Sequence, residues 1–563
     1  MSAKAPNAKL ATLLLGLSIF FTGASGLVGE YILSTLSSYL LGNSIEQFSI
    51  TIALMLGMMG IGGWVQKYID DSHLLEKFIL IEMLLALLVG FAPLAIYAAF
   101  GFMETHFLLI QYAFVLSIGF LIGFEIPFII RINQAYSSTL KANLSTVISA
   151  DYFGSLAGAL VWVYWMLPNF SIVINGFLLA SLNFLIATVT VLYFNYHRLI
   201  EKRATSFVLI GITVLALAGG SLSANRWHLE LQQHLYNDKI VFSKTTRYQH
   251  LVVTHNGKRD EYRFYINGNL QFSSLDEYRY HEQLVHPLMH IAPSHKNILV
   301  LGGGDGMAVR ELLKYSDISS ITLVDLDAEL VRLAKNSEVF KKLNHNAFDS
   351  ARICFPDINN ALSVIGKREW IPYGDDINRS EKTGMKPMMF DVVHIDADKF
   401  LDRIANRNYD VVIIDLPDPT SIDLNKLYSS EFYMKLKRTL SKRGIIVIQS
   451  TSPFQTQKAF LCIGDTLHSA GFQTIPYHDN IPTFGEWGWY IAWKEESFSK
   501  ETILKQMQQI ASFTIPTRYI TPQYFLSSTV FPKDFQNHTP PIVNTLMDPK
   551  LFLLYNQEAA YYE

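Results

Sequence analysis

Ile298-Leu-Val-Leu-Gly-Gly-Gly-Asp-Gly306 decides the fold of this chain, because an apolar, strand-like run ends there in a glycine turn. A second such run ends in acid at Val324-Asp-Leu-Asp327, and a third ends at Asp415-Leu-Pro-Asp-Pro419. A strand, a glycine turn, a helix and an acid about twenty residues further on are typical of a nucleotide site at the carboxyl edge of a parallel sheet. We therefore expect an α/β domain that binds a nucleotide-like molecule.

The residues of the glycine turn exclude two kinds of nucleotide site. A dinucleotide fingerprint needs a glycine three places after Gly304, where this chain has Met307. A phosphate-binding loop needs a Lys followed by Ser or Thr, and this turn has neither. Asp305 instead puts a negative charge into the turn, which would repel phosphate. The ligand is therefore expected to be a positively charged nucleoside of the S-adenosylmethionine type, with Asp325 on its ribose hydroxyls.

Further motifs flank the turn, and the set resembles a known family. Thr246-Arg-Tyr-Gln249 and Leu275-Asp-Glu-Tyr-Arg-Tyr-His281 precede it, and Ile481-Pro-Thr-Phe-Gly-Glu-Trp-Gly488 follows it. With the glycine turn and Asp415-Leu-Pro-Asp-Pro419, these motifs look like those of the polyamine aminopropyltransferases, which include spermidine synthase. The resemblance covers roughly residues 241 to 493.

The resemblance implies a transferase of polyamine and spermidine biosynthesis. It would move an aminopropyl group from decarboxylated S-adenosylmethionine to a polyamine such as putrescine, giving spermidine and methylthioadenosine. The implied fold is a class I methyltransferase-like (Rossmann-type) domain preceded by a small antiparallel β domain. No metal and no cofactor beyond the co-substrate are expected, nor any nucleic acid, and we expect a homo-oligomer.

The resemblance also implies roles for single residues. An alkylamine with a pKa of about 10.4 is protonated at neutral pH and must lose a proton before it attacks. Asp415 is the implied proton acceptor, Tyr280 and Asp418 the implied amine ligands, and Asp305 the partner of the donor's primary amine. The other implied donor ligands are Gln249, His281, Gly302, Gly304, Asp325, Asp396 and Ala397.

Several alternatives stay open at these positions. Asp357 is an alternative to Asp396 beside the adenine. Phe484 stands where spermidine synthases carry a tyrosine, so the acceptor is left open and Glu486 is expected to bind a second ammonium group. Structural roles also compete, because acids at strand ends cap helices and form turns, and a tyrosine or histidine can simply be part of the core.

The first 222 of the 563 residues are nearly all apolar, whereas the rest has ordinary globular composition. Seven segments approach the roughly 20 residues that cross a bilayer, which predicts a multi-pass cell-membrane protein. They are Leu10–Leu33, Phe48–Val65, Phe78–Phe100, Phe107–Ile130, Ala150–Leu167, Ile172–Phe194 and Phe207–Leu222. We expect a transmembrane domain at 1–222, a linker at 223–239, a β domain at 240–290, a catalytic domain at 291–496 and an extension at 497–563, with a polar loop inserted at 367–389.

The orientation in the membrane depends on loop charge. Lys and Arg fall before the first segment and in alternate loops, which favours a cytoplasmic N-terminus. An odd number of spans would then put the catalytic domain outside, away from substrates made in the cytosol. We expect the short last segment, with Gly219-Gly220 near its end, to be interfacial or re-entrant, which returns the domain to the cytoplasm.

Four acids lie in the apolar segments, namely Glu30, Glu82, Glu125 and Asp151. They can be protonated, cap helices or pair with loop bases such as Arg131. Alternatively they form a site or path for a cationic amine, with Glu125 the first candidate because Pro127 follows it. Such a site would make the chain a polyamine transporter or sensor with a non-catalytic synthase-like domain. A separate alternative is a methyltransferase that uses intact S-adenosylmethionine.

Overall fold

The computed structural model describes residues 7–41, 44–103, 106–137, 139–349, 352–354, 388–404, 408–535 and 540–560. These residues form two compact units, Met1–Thr254 and His255–Glu563. The boundary between the units falls inside the expected β domain, within the strand His250–Asn256. Each unit is described separately below.

The first unit is built from long apolar helices. Within the described ranges, seven are long and apolar enough to cross a membrane, which confirms the predicted multi-span helical domain. They are α1 (Ala8–Leu41), α2 (Ser44–Val65), α3 (Leu74–Phe102), α4 (Phe107–Asn133), α5 (Leu140–Val161), α6 (Ile172–Tyr196) and α7 (Arg203–Gln233). A π-helical turn, Trp162–Met166, continues α5 toward Asn169.

Glycines let two of these helices pack with their backbones in contact. A β-carbon at Gly62 of α2 would collide with the carbonyl oxygen of Phe120 in α4, and one at Gly123 of α4 would collide with that of Met59 in α2. In a bilayer, where apolar side chains gain little by leaving lipid, such close contact is a main source of helix association. The α2–α4 pair therefore depends on having no side chain at these positions.

The last helix, α7, differs from the expected re-entrant segment. It is continuous from Arg203 to Gln233, with no break at Gly219-Gly220. A β-carbon at Gly220 would collide with the rings of Phe91 and Phe177, so the helix packs inside the bundle. Just after α7, the His234 ring lies 4.5 Å from that of Phe102, where α3 ends. The chain therefore leaves the bundle on the face whose loops lack Lys and Arg, and the re-entrant expectation is wrong.

A small antiparallel sheet and a larger mixed sheet follow. The small sheet has the strand order β1 (Lys239–Thr245), β2 (His250–Asn256), β3 (Glu261–Ile266) and β4 (Asn269–Ser273). The larger sheet has the order β11-β12-β10-β9-β5-β6-β8-β7. Its strands are β5 (Asn297–Gly302), β6 (Ser320–Asp325), β7 (Arg352–Cys354), β8 (Met389–His394), β9 (Tyr409–Asp415), β10 (Leu440–Gln449), β11 (Phe472–Ile481) and β12 (Gly485–Lys494). Together they confirm the predicted fold class.

The direction of the strands places the site. Strand β5 is parallel to both neighbours, β9 and β6, and the chain order reverses between them. A ligand of a doubly wound sheet binds at such a switch point, outside the carboxyl ends of the strands. The central strands are apolar and buried, as expected for strands that are covered on both faces of the sheet. Near one edge, β12 is antiparallel to both of its neighbours, β10 and β11.

Helices cover the larger sheet and continue beyond it. They are α8 (Glu277–Ile291), α9 (Met307–Leu312), α10 (Ala328–Asn336), α11 (Glu338–Leu343), α12 (Ala397–Arg403), α13 (Ile422–Asn425), α14 (Ser430–Thr439), α15 (Gln457–Ser469), α16 (Lys500–Gln509), α17 (Pro522–Ser528) and α18 (Lys550–Ala559). Most of the predicted polar loop at 367–389 lies outside the described residues, and so does Asp357.

Candidate active site

The glycine turn is fastened to the end of strand β9. Gly302 has a φ of +83°, in the left-handed region that favours glycine, and a β-carbon there would collide with the carbonyl oxygen of Asp415. The N–H of Gly303 donates to the same carbonyl at 3.1 Å. The turn and the predicted catalytic aspartate are therefore held together by backbone contacts that require glycine.

Asp325 ends strand β6 beside the same turn. Its Oδ2 accepts a hydrogen bond from the N–H of Gly304 at 3.0 Å, and its Oδ1 accepts one from the N–H of Asp327 at 2.8 Å. Burial raises the pKa of Asp325 to about 7, although these hydrogen bonds oppose the shift. The carboxylate is thus fixed next to the turn, with the remaining lone pairs of its oxygens as possible acceptors for hydroxyl groups.

Asp305 lies in the glycine turn, and His281 lies on α8. Asp305 Oδ1 accepts from the N–H of Met307 at 2.9 Å, and burial raises the pKa of its carboxyl group. His281 Nδ1 lies 3.0 Å from Glu277 Oε2. Burial alone would lower the pKa of His281, but the hydrogen bond and charge of Glu277 outweigh it and raise that pKa.

An ion pair that the sequence analysis missed supports His281. Arg310 Nη1 and Nη2 donate to the two carboxylate oxygens of Glu277 at 2.7 and 2.9 Å, and both side chains are buried. Burial would raise the pKa of Glu277, but its bonds to His281 and Arg310 lower it. Glu277 thus stays charged and orients the imidazole. The motif Leu275–His281 contains Glu277, but no pattern in the sequence links it to Arg310.

Asp415 and Tyr280 form the centre of the site. The hydroxyl of Tyr280, on α8, donates to Asp415 Oδ1 at 2.7 Å. Burial raises the pKa of Asp415 to about 6, an effect that the Tyr280 hydrogen bond opposes. Burial, then the Asp415 charge, raises the pKa of Tyr280 well above its usual value, which keeps the phenol a donor. A carboxylate with a pKa near neutrality is suited to accept a proton at physiological pH.

Asp418, three residues further on, is held by two side chains that the sequence analysis did not identify. Gln449 Nε2, at the end of β10, donates to Asp418 Oδ1 at 3.2 Å, and the Tyr555 hydroxyl donates to Oδ2 at 2.9 Å. Burial raises the pKa of Asp418 to about 6, against these two hydrogen bonds. Tyr555 belongs to α18 in the extension for which the sequence indicated no chemistry.

Four other predicted residues belong to elements outside the glycine turn and the Asp415 motif. Gln249 follows β1 in the first compact unit. Asp396 accepts from the N–H of Lys399 at 3.1 Å, as the cap of α12, and from Lys426 Nζ at 2.6 Å. Ala397 is the first residue of that helix. Glu486 is paired with His478 across the β11–β12 hairpin.

Aromatic rings border Tyr280. The rings of Phe484 and Trp489 lie 6.4 and 5.5 Å from the Tyr280 ring. Trp489 is fully buried and stacks on Tyr477, so it belongs to the core. Phe484 offers an apolar edge where a hydroxyl was expected from the family motif.

One acidic cluster has the geometry of a metal site but is occupied by protein partners. The ligand atoms of Glu282, His286 and Glu311 lie within 4.8 Å of one another. His286 Nε2 is 2.7 Å from Glu311 Oε2, and Glu282 accepts from the backbone N–H groups of residues 518–520. The cluster therefore fastens the C-terminal segment to α8.

Comparison with known proteins gives consistent matches. The spermine/spermidine synthase domain model matches residues 277–367 and 379–526. Polyamine aminopropyltransferase 2 of Ralstonia nicotianae is 36% identical over 517 residues, covering 92% of this chain and 91% of that protein. The polyamine aminopropyltransferase of Leptospira interrogans is 33% identical over 544 residues, covering 96% and 98%. The crystal structure of spermidine synthase from Thermotoga maritima has a TM-score of 0.39 at 20% identity, over 52% of this chain and 84% of that one.

Proposed function

This chain belongs to the polyamine aminopropyltransferase family, and from that premise we propose which of its residues carry out the transfer. The chain is an enzyme that transfers an aminopropyl group to a polyamine. Our proposal names decarboxylated S-adenosylmethionine as the donor and putrescine as the first acceptor to test. The observation that carries it is the hydrogen bond from Tyr280 to Asp415, beside the glycine turn.

The proposed reaction is a single displacement. The lone pair of the acceptor nitrogen attacks the propyl carbon next to sulfur, a C–N bond forms, and the C–S bond breaks. The bonding pair stays on sulfur, so the sulfonium becomes the neutral thioether methylthioadenosine. The amine gives one proton to Asp415 in the site before it attacks, and the secondary ammonium formed by attack can lose another to solvent. Because the leaving group is already good, alignment is the main requirement, and it can supply about 7 to 11 kcal/mol.

Asp305 is proposed to select the donor. Its carboxylate attracts the primary ammonium group of the decarboxylated donor, whereas intact S-adenosylmethionine would bring a second carboxylate to the same place. The Glu277–Arg310 pair, through His281, keeps this side of the turn fixed. This electrostatic preference supports aminopropyl transfer over methyl transfer.

The donor nucleoside is proposed to lie along the carboxyl ends of β5 and β6. Gly302 and Gly304 let the backbone approach it, and Asp325 binds its ribose hydroxyls. Asp396 and Ala397 are proposed beside the adenine, and Gln249 near the methionine-derived chain. Lys426 already neutralises Asp396, so the Ala397 backbone is the stronger of the two adenine candidates.

The acceptor is proposed to bind between Asp415 and Asp418. Tyr280, Gln449 and Tyr555 hold these two carboxylates, which gives the entering amine fixed acceptors for its N–H groups. Phe484 and Glu486 are proposed to line the far end of the acceptor, where an apolar edge favours a methylene chain and a carboxylate favours a second ammonium group.

The experiment is turnover by the full chain purified in detergent. Putrescine, cadaverine and spermidine are each supplied with decarboxylated or intact S-adenosylmethionine, and products are identified by mass spectrometry. We expect aminopropylated product only with the decarboxylated donor, abolished in Asp415→Asn. Methylated product would instead support the methyltransferase alternative. No product from any pair, with amine binding retained, would support the sensor or transporter alternative.

The seven apolar helices are compatible with a membrane-spanning region. We further propose that the catalytic domain faces the cytoplasm, since its substrates are made there. Loop charge argues for the opposite orientation, because the chain leaves the bundle on the face without basic loops, so this proposal depends on the substrates alone.

A further inference from the structure

A small polar cavity lies inside the helical bundle of the first unit. Its volume is about 10 Å³, room for about one water molecule. The polar side chains that line it are Thr22 and Ser25 of α1, Glu125 of α4 and Asn183 of α6, and the rest of its wall is apolar. Each of these four residues is at most 3% exposed. Hydrogen-bond acceptors from three helices therefore converge on one enclosed point.

Two groups at or near this cavity lack hydrogen-bond partners among the described residues. One is Asn183 Oδ1, on the cavity wall. The other is Glu82, fully buried on α3 with both carboxylate oxygens unpartnered, one helical turn before Leu85 of the cavity wall. Helix α3, which carries Glu82, packs against α4, which carries Glu125. A buried polar group without a partner is costly, so these oxygens indicate a ligand.

Two basic side chains near helix ends are already paired with other acids. Arg131, the expected partner for a membrane acid, donates from Nε to Asp71 Oδ1 at 2.9 Å in the loop after α2. Lys77, near the start of α3, is paired with Asp70 at 2.9 Å. Arg131 therefore pairs with a loop acid, whereas pairing with these membrane acids was one of the alternatives left open. A cation bound from outside the chain would balance the two carboxyl groups when they are ionised.

We propose that this cavity binds a small monovalent cation, with Glu125, Asn183, Thr22 and Ser25 as oxygen ligands and Glu82 as the second carboxyl group. The ligands are all hard oxygens, which suit an alkali ion or an ammonium ion. Space for one water-sized particle excludes Mg²⁺ with its retained waters, and too few ligands converge for the six to eight that Ca²⁺ takes. The site is separate from the aminopropyl transfer residues.

The test is equilibrium binding to the full chain in lipid nanodiscs. The probes are ²²Na⁺ and ¹⁵N-ammonium, with choline as the replacement cation. We expect saturable binding of at least one probe, at about one per chain, weakened roughly thirtyfold or more in Glu125→Gln because a buried charge partner is lost. Sodium binding alone would identify an alkali site, and ammonium binding alone would identify an ammonium site.

Matched variants separate this site from others. Glu30→Gln removes a buried carboxyl of the same bundle that does not line the cavity, and it should keep both binding and aminopropyl transfer. Asp418→Asn should keep ammonium binding, since that residue belongs to the acceptor site. Thr22→Val changes a second residue of the cavity wall with little change in shape. Size-exclusion chromatography and helical circular dichroism check that each variant folds. Absence of saturable binding, or equal binding by folded Glu125→Gln, would overturn the proposal.

Discussion

The hydroxyl of Tyr555 donates a 2.9 Å hydrogen bond to Asp418 Oδ2, although 137 positions separate the two residues. Removing it in Tyr555→Phe leaves the ring in place and takes away one donor to a charged group, worth about 1.5 to 3 kcal/mol. We expect the amine KM to rise roughly ten- to hundredfold while the KM for the donor is unchanged. Initial rates with each substrate varied separately measure this.

The control for that variant is Leu553→Ala, a half-exposed position on the same helix. It should leave both KM values as they are. An equal rise of the amine KM in both variants would mean that helix α18 acts by packing rather than through the Tyr555 hydroxyl.

The pH dependence of kcat/KM should report Asp415. Burial raises its pKa to about 6, and only the ionised carboxylate accepts a proton, so activity should fall as the pH drops through about 6. Tyr280→Phe removes a hydrogen bond that lowers this pKa, so the acidic limb should move to higher pH. Tyr262→Phe, on β3, is the control and should keep the wild-type profile. An unmoved limb in Tyr280→Phe would contradict the assignment of Asp415 as proton acceptor.

Donor choice should depend on Asp305. In Asp305→Asn the attraction for the primary ammonium and the repulsion of a carboxylate both disappear. We expect kcat/KM for the decarboxylated donor to fall about a hundredfold, as for loss of a buried charge pair, and the binding preference over intact S-adenosylmethionine to narrow. Competition of the two nucleosides measures the preference. If it stayed at the wild-type ratio, another residue would be responsible for donor selection.

The Glu277–Arg310 pair should support stability as well as the site. Arg310→Met leaves Glu277 buried without its cation, which costs about 3 to 5 kcal/mol. Arg332→Met breaks an exposed pair with Glu329 and should cost about 0 to 1 kcal/mol. The temperature at which each variant loses its activity measures the difference in stability. Similar inactivation temperatures would show that the buried pair is not important for stability.

The same pair predicts how stability changes with pH. The folded-state pKa of Glu277 is below its usual value of 4.5, so the folded protein binds the proton less tightly than the unfolded chain. Its contribution is therefore complete above pH 4.5 and is lost as the pH falls toward the folded pKa. Between pH 5 and about 4, the free energy of unfolding should fall less in Arg310→Met than in the wild type. Samples are heated at each pH, returned to neutral pH and assayed for the remaining activity.

Orientation in the membrane can be tested with C-terminal reporters. For a cytoplasmic catalytic domain we expect a fluorescent green fluorescent protein fusion and an inactive alkaline phosphatase fusion. The reverse pattern would show that loop charge sets the orientation and that the substrates must be supplied outside the cytoplasm.

The glycine turn, the acid at the end of β6 and the Asp415 motif were predictable because each lies within a few residues of a strand end. Their signals are local, and backbone geometry brings them together at the switch point of the sheet. Gln449, Arg310 and Tyr555 reach the site from distant elements and carry no local signal. The same limit applies to Asp396 and Glu486. Asp396 pairs with Lys426 and Glu486 pairs with His478, and a sequence motif does not encode such tertiary contacts.

The glycine contact between α2 and α4 has a consequence for inheritance. Every amino-acid-changing mutation in the codon for Gly62 or Gly123 introduces a side chain, and the space that even a methyl group would need is filled by the backbone of the other helix. Most apolar positions of the bundle can exchange one hydrophobic residue for another, but these two have no conservative replacement. Loss-of-function alleles that map to the first unit should therefore be over-represented at these two codons.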